Sequence, residues 1–130
     1  MSSPAVASLI EQMASSVAAL RAALEAERID DYPAAIDTAQ KALDAIAAYP
    51  GGIDSLRSAL DRSAEQEKLR LRELITKASV DHKVNGELIR IAMQKNAALR
   101  ATVAQQSAEA TYSERGHVPS VLGSLLSRKV

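Results

Sequence analysis

Apolar residues recur at steps of three and four along most of this chain, the spacing that gathers side chains onto one stripe of an α-helix. Val6, Ile10, Met13, Val17, Leu20 and Leu24 alternate such steps and predict a first helix over 4–28, opened by Ser3 as cap and Pro4 in the first turn. Asp30, Asp31 and Pro33 end it: the proline is expected to push Tyr32 out of helical space, and an aspartate can cap the next helix. Ile36, Ala39, Leu43 and Ile46 predict a second helix over 33–49, helped slightly by Asp37 and Lys41 four residues apart. Pro50-Gly51-Gly52 is the strongest stop in the chain. With no preceding strand and no lysine at the required spacing, it reads as a turn and not as a phosphate loop.

The longest run comes next. Between Glu65 and Ala110 there is no proline and a single glycine, and Ala, Leu, Glu, Lys, Gln and Arg dominate. Leu71, Leu74, Ala78, Asn85, Leu88, Ala92, Leu99 and Val103 trace one face, and Ile53, Leu56 and Leu60 extend it backwards. The pattern predicts a third helix over 54–110, with Asp54 as cap and Glu73 paired with Lys77. It is expected to run through Asn85-Gly86, because a glycine inside a helix costs only about 1 kcal/mol relative to alanine. Beyond it, 112–117 read as a helix end and turn. Pro119-Ser120 can then start a short amphipathic helix with Val121, Leu122, Leu125 and Leu126 on one face and Arg128 and Lys129 near its end. The expected fold is all-α: a single domain over 1–130, an antiparallel bundle of three helices with a long third helix and a short C-terminal amphipathic helix in the tail 111–130.

Composition narrows this further. Apolar residues make up 47% of the chain, but alanine supplies much of that and aromatics only 2%, so a thin bundle with no large central core is expected. Sixteen basic and sixteen acidic residues cancel, leaving no global field to draw nucleic acid. The charge is nevertheless uneven: residues 1–50 hold three Lys or Arg against seven Asp or Glu. With no cysteine, disulfide scaffolds and thiolate chemistry are excluded, which fits a reducing cytoplasm. MSSPAVASLIEQM lacks the basic and apolar regions of a signal peptide, and no run reaches the roughly twenty apolar residues of a membrane span.

The candidate chemistry is thin. His82 and His117 stand in no metal-ligand spacing, and no serine or carboxylate is flanked as in a catalytic motif, so neither a cofactor nor an enzymatic activity is expected. Without tryptophan or phenylalanine, stacking of single-stranded bases has no support.

Length supplies the functional clue. At 1.5 Å per residue the three helices would measure roughly 37, 25 and 85 Å, so about half of the third would project beyond the other two. That half carries Leu88, Ile89, Ile91, Met93, Leu99 and Val103, an apolar set wide enough to need burial. Dimerisation, a fold-back at Gly86 into a four-helix bundle, or a helical partner laid in the groove would each bury it.

Two stretches carry a family resemblance. ALEAERIDDYPAAIDTAQKALDAI and, more specifically, LRELITKASVDHKVNGELIRIAMQKNAALR resemble the acidic turn, second helix and long third helix of flagellar export chaperones of the FlgN type. Tyr112 and Gly116 also fit that pattern, although Ser113 follows the tyrosine where the family often has glycine. The resemblance implies a cytoplasmic, non-catalytic chaperone that masks the helical ends of hook–filament junction proteins and delivers them to the export gate. On that reading Leu88, Ile89, Ala92, Met93, Leu99 and Val103 receive a client helix, Val121, Leu122, Leu125 and Leu126 add to the grip, and Tyr112 meets an export-gate component. The competing reading is a structural or regulatory helical protein that homodimerises through the same face. A third is a tail that binds curved membrane without inserting stably.

Overall fold

The computed structural model describes residues 5–95, Ala101 and residues 103–105. Among these the chain is all-α, with four helices and no strand: α1 (Val6–Glu25), α2 (Tyr32–Ala47), α3 (Gly52–Asp61) and α4 (Glu65–Lys95), with a 3₁₀ turn at Ile29–Asp31. Ala101 and residues 103–105 are also helical.

α1 is the helix on which the others are assembled, packing against α2 on one side and α4 on the other. Its seam puts Ile10, Met13, Val17, Leu20 and Leu24 into the core, and Ser16 and Ala23 broaden the buried stripe to serve two neighbours. α2 runs antiparallel to α1. Tyr32, its first residue, lies against Leu24, and Asp37, Lys41 and Ala45 lie beside Leu9 and Gln12. Ile36, Ala39, Leu43 and Ile46 are buried, with Ala42 between them. Small residues at Ala23, Ala39, Ala42 and Ala78 let the helices approach closely.

α4 runs in the same direction as α1, and polar contacts fix its register. Arg70 meets Glu11 at 2.7 Å, Arg21 meets Asp81 at 3.0 Å, and the Asn85 side-chain amide donates to the Val17 carbonyl at 3.0 Å. Leu71, Ile75 and Ala78 fill the interface between them and are 1% exposed. α4 passes through Asn85-Gly86 unbroken, and the buried Asn85 bond explains why the glycine starts no turn there. Lys77 pairs with Asp81 at 2.7 Å, not with Glu73 as its spacing suggested. Asp37 and Lys41 do pair, at 3.1 Å.

Three expectations need correction. Among the described residues, the run expected as one helix over 54–110 is broken at 62–64 into α3 and α4. α3 begins at Gly52, and Asp54 lies inside its first turn, paired with Arg57 at 2.8 Å, instead of capping it. α3 lays Leu56 and Leu60 on the bundle end where α1 begins, and the chain must then turn for α4 to return along α1. Asp61 spans this corner to Arg72 at 2.8 Å, while the Ser63 hydroxyl donates back to the Ala59 carbonyl at 3.2 Å. A serine followed by Glu65 and Glu67 in the first turn of α4 is the signal that marks a new helix start.

The second correction is Tyr32, which is helical (φ −57°, ψ −50°) and opens α2. Its buried ring anchors it there, and Pro33 sits in the first turn, where its missing N–H breaks no helical bond. Asp31 precedes α2 but makes no capping bond, and its carboxylate pairs with Arg28 at 3.1 Å. The third concerns the overhang. Because α4 starts at Glu65, α1 accompanies it to about Ala92, and Leu88, Ile89, Ala92 and Met93 are half-buried against the core. The expected start of α1 at Ser3-Pro4 lies outside the described residues.

Candidate partner-binding groove

α1 ends in a backbone arrangement that usually calls for glycine. The Arg28 N–H bonds the Ala23 carbonyl at 3.0 Å and the Glu27 N–H bonds the Leu24 carbonyl at 3.1 Å, which together form a Schellman motif. Its left-handed position is held by Glu27, at φ 56°. The motif turns the chain sharply, and Ile29 is thrown outward just after it, 49% exposed.

Across from this turn stands the last part of α4. Leu24, Ile29 and Tyr32 on one side and Leu88, Ile91 and Ala92 on the other line a groove of about 140 Å³, with Glu27 and Lys95 at its rim. Ile91 is 43% exposed, so two of the four large exposed apolar side chains among the described residues border this groove. The other two, Leu69 and Val80, lie on α4 about 16 Å apart along the helix and form no single patch. The volume falls below the roughly 300–1,000 Å³ of small-molecule sites and suits one or two inserted side chains.

The electrostatics are lopsided. Glu25 pairs with Arg21 at 2.9 Å and Asp31 with Arg28 at 3.1 Å, while Glu27 and Asp30 pair with no cation among the described residues. The Tyr32 hydroxyl donates to the Leu24 carbonyl at 3.5 Å. Burial, and secondarily the Glu27 charge, raise its pKa above the ordinary value, so it remains a neutral wall. No group of three or more His, Cys, Asp or Glu among the described residues could hold a metal, and no described helix is long and apolar enough to cross a membrane.

The structure brings only part of the expected site together. Leu88 and Ala92 line the groove. Ile89, Met93 and Val103 are half-buried against the core cluster. Leu99, Tyr112, Val121, Leu122, Leu125 and Leu126 lie outside the described residues. The whole opposite wall, Leu24, Ile29 and Tyr32, was missed. An isoleucine isolated in the acidic turn ERIDDY was the one signal for it. Compared with models of known protein families, with curated proteins and with solved structures, the chain has no match.

Proposed function

We propose that this protein is a non-catalytic, cytoplasmic chaperone of the flagellar export type, binding the helical ends of hook–filament junction proteins and handing them to the export gate. The observation that carries the reading is the groove between the α1–α2 turn and α4, whose two exposed isoleucines face a space sized for side chains. A client helix that inserts one large apolar residue there would lie along the end of α4, as helix-in-groove recognition requires. The sequence resemblance supplies the client class. In this reading a short amphipathic C-terminal helix carrying Val121, Leu122, Leu125 and Leu126 completes the architecture, Leu99 extends the surface, and Tyr112 serves the export-gate contact.

Ile29→Asp combined with Ile91→Asp tests it, because both side chains are exposed and their loss leaves the core intact. Light scattering after size exclusion should show the wild-type chain shifting to a one-to-one complex with a junction protein, and affinity for the double variant should fall about tenfold or more at unchanged helicity. Equal affinity for both proteins would sink the proposal. So would a wild-type chain that forms a tight, salt-insensitive dimer by itself.

A further inference from the structure

Glu27 holds two properties at once. It occupies a left-handed position that glycine would fill with less strain, and it places a carboxylate on the rim of an apolar groove. With Asp30, three residues on in the adjoining turn and also without a cationic partner among the described residues, it makes the α1–α2 side negative, while Lys95 stands on the α4 side of the rim. An occupant matching this groove therefore brings a large aliphatic side chain followed closely by positive charge that falls on the α1–α2 side, away from Lys95.

The chain itself contains such a segment. In PSVLGSLLSRKV (residues 119–130) the leucines 125 and 126 are followed by Arg128 and Lys129, and no acidic residue interrupts. Reach is no obstacle. Even if Gln105 stood at the far end of an unbroken helix, about 15 Å beyond Lys95, the chain from there to Val121 could span about 50 Å. Tethering also gives the segment a high effective concentration that no free partner matches at ordinary levels. We propose that residues 119–130 dock in the groove of their own chain, with a leucine of the 125–126 pair filling the space beside Ile91 and with Arg128 and Lys129 over Glu27 and Asp30. A client of the proposed chaperone must then displace the tail to bind. The inference rests on the groove being a docking surface, as in that proposal, and on nothing about export.

The absence of cysteine makes the test clean, since two introduced thiols are the only ones in the molecule. The full-length chain is made with Ile91→Cys and Leu125→Cys, and separately with Ile29→Cys and Leu126→Cys so that one badly set sulfur pair does not decide. A reference carries Ser58→Cys on α3, at the opposite end of the bundle, with Leu125→Cys. Under diamide at low protein concentration, at least one groove pair should close an intramolecular disulfide about tenfold faster than the reference. Adding Arg128→Glu and Lys129→Glu should slow closure about fivefold, the size expected of two solvent-exposed ion pairs. Groove pairs no faster than the reference, closure insensitive to the charge reversal, or disulfides that join only two different chains would each overturn it. Because no client is present, a positive result stands even if junction proteins fail to bind.

Discussion

Arg21 on α1 and Asp81 on α4 form an ion pair at 3.0 Å whose partners live in different surroundings: the arginine side chain is 34% exposed and the aspartate 2%. Asp81 also takes Lys77 at 2.7 Å, and Arg21 has a second acceptor in Glu25 at 2.9 Å. Removing either partner therefore has unequal consequences. Arg21→Met leaves a buried carboxylate held by Lys77 alone, whereas Asp81→Leu leaves Arg21 with Glu25 and water. We expect Asp81→Leu to change stability by about 1 kcal/mol or less, because an aliphatic side chain suits the site. Arg21→Met should lower the urea midpoint further, and the double variant should return to the Asp81→Leu value. Equilibrium urea unfolding of the four proteins checks this, and equal losses from the two single variants would contradict it.

Glu27 gives a second prediction. A residue with a Cβ at φ 56° is strained by about 1 kcal/mol relative to glycine. Glu27→Gly should raise the melting temperature by about 3–5 °C, as expected for about 1 kcal/mol in a domain of this size. Glu27→Ala keeps the Cβ and should give little of that gain. Calorimetry distinguishes the two, and equal shifts would mean that the side-chain charge, not the backbone, sets the effect.

The periodic parts of the chain were legible in advance, and the parts that depend on how elements are placed were not. Ile10, Met13, Val17, Leu20, Leu24, Ile36, Ala39, Leu43 and Ile46 are all buried where their spacing put them, because a repeat of 3.6 is a property of one helix. The α3–α4 corner is different. Arg62, Ser63 and Ala64 have no strong aversion to helix, and the chain turns there because Leu56 and Leu60 must lie on the bundle end while Leu71 returns along α1. The groove was half legible for the same reason. Leu88 and Ala92 announced themselves by period, but Ile29 and Tyr32 reach them only through the parallel register of α1 and α4. That register is set by Asp81 and Asn85, two polar residues inside an apolar stripe.

The turn between α2 and α3 sets two adjacent glycines side by side as an internal comparison. Tyr49-Pro50-Gly51-Gly52 is closed by the Gly52 N–H donating to the Tyr49 carbonyl at 2.8 Å, with Gly51 at φ 89° and ψ −3°, a type II turn with proline and glycine where that turn wants them. Gly52 has nearly the same φ, 86°. A Cβ on Gly51 would sit 2.1 Å from the Ser55 hydroxyl and 2.8 Å from its Cβ, while one on Gly52 would meet nothing within 4 Å. Both alanine substitutions carry the left-handed penalty and only one carries the clash. Gly51→Ala should cost about 3 kcal/mol and Gly52→Ala about 1 kcal/mol. Urea midpoints that fall equally would show that Ser55 moves aside freely.

His82 supplies the pH dependence. It is half-buried on α4, and burial alone pushes its pKa below the ordinary 6.5. The folded state thus holds the imidazole neutral over a range in which the unfolded chain binds a proton, so stability rises with pH across that range. The contribution is fully present above pH 6.5, is lost as pH falls from there through the lowered folded value, and changes no further below it. Wild-type protein should melt at a lower temperature at about pH 5.5 than at about pH 7.5, and His82→Gln, which carries no titrating group, should shrink that difference. The window lies above the range in which most carboxylates protonate, so the histidine is separable from general acid loss. If the variant loses as much stability as the wild type between the two pH values, the neutral buried imidazole is not the group responsible.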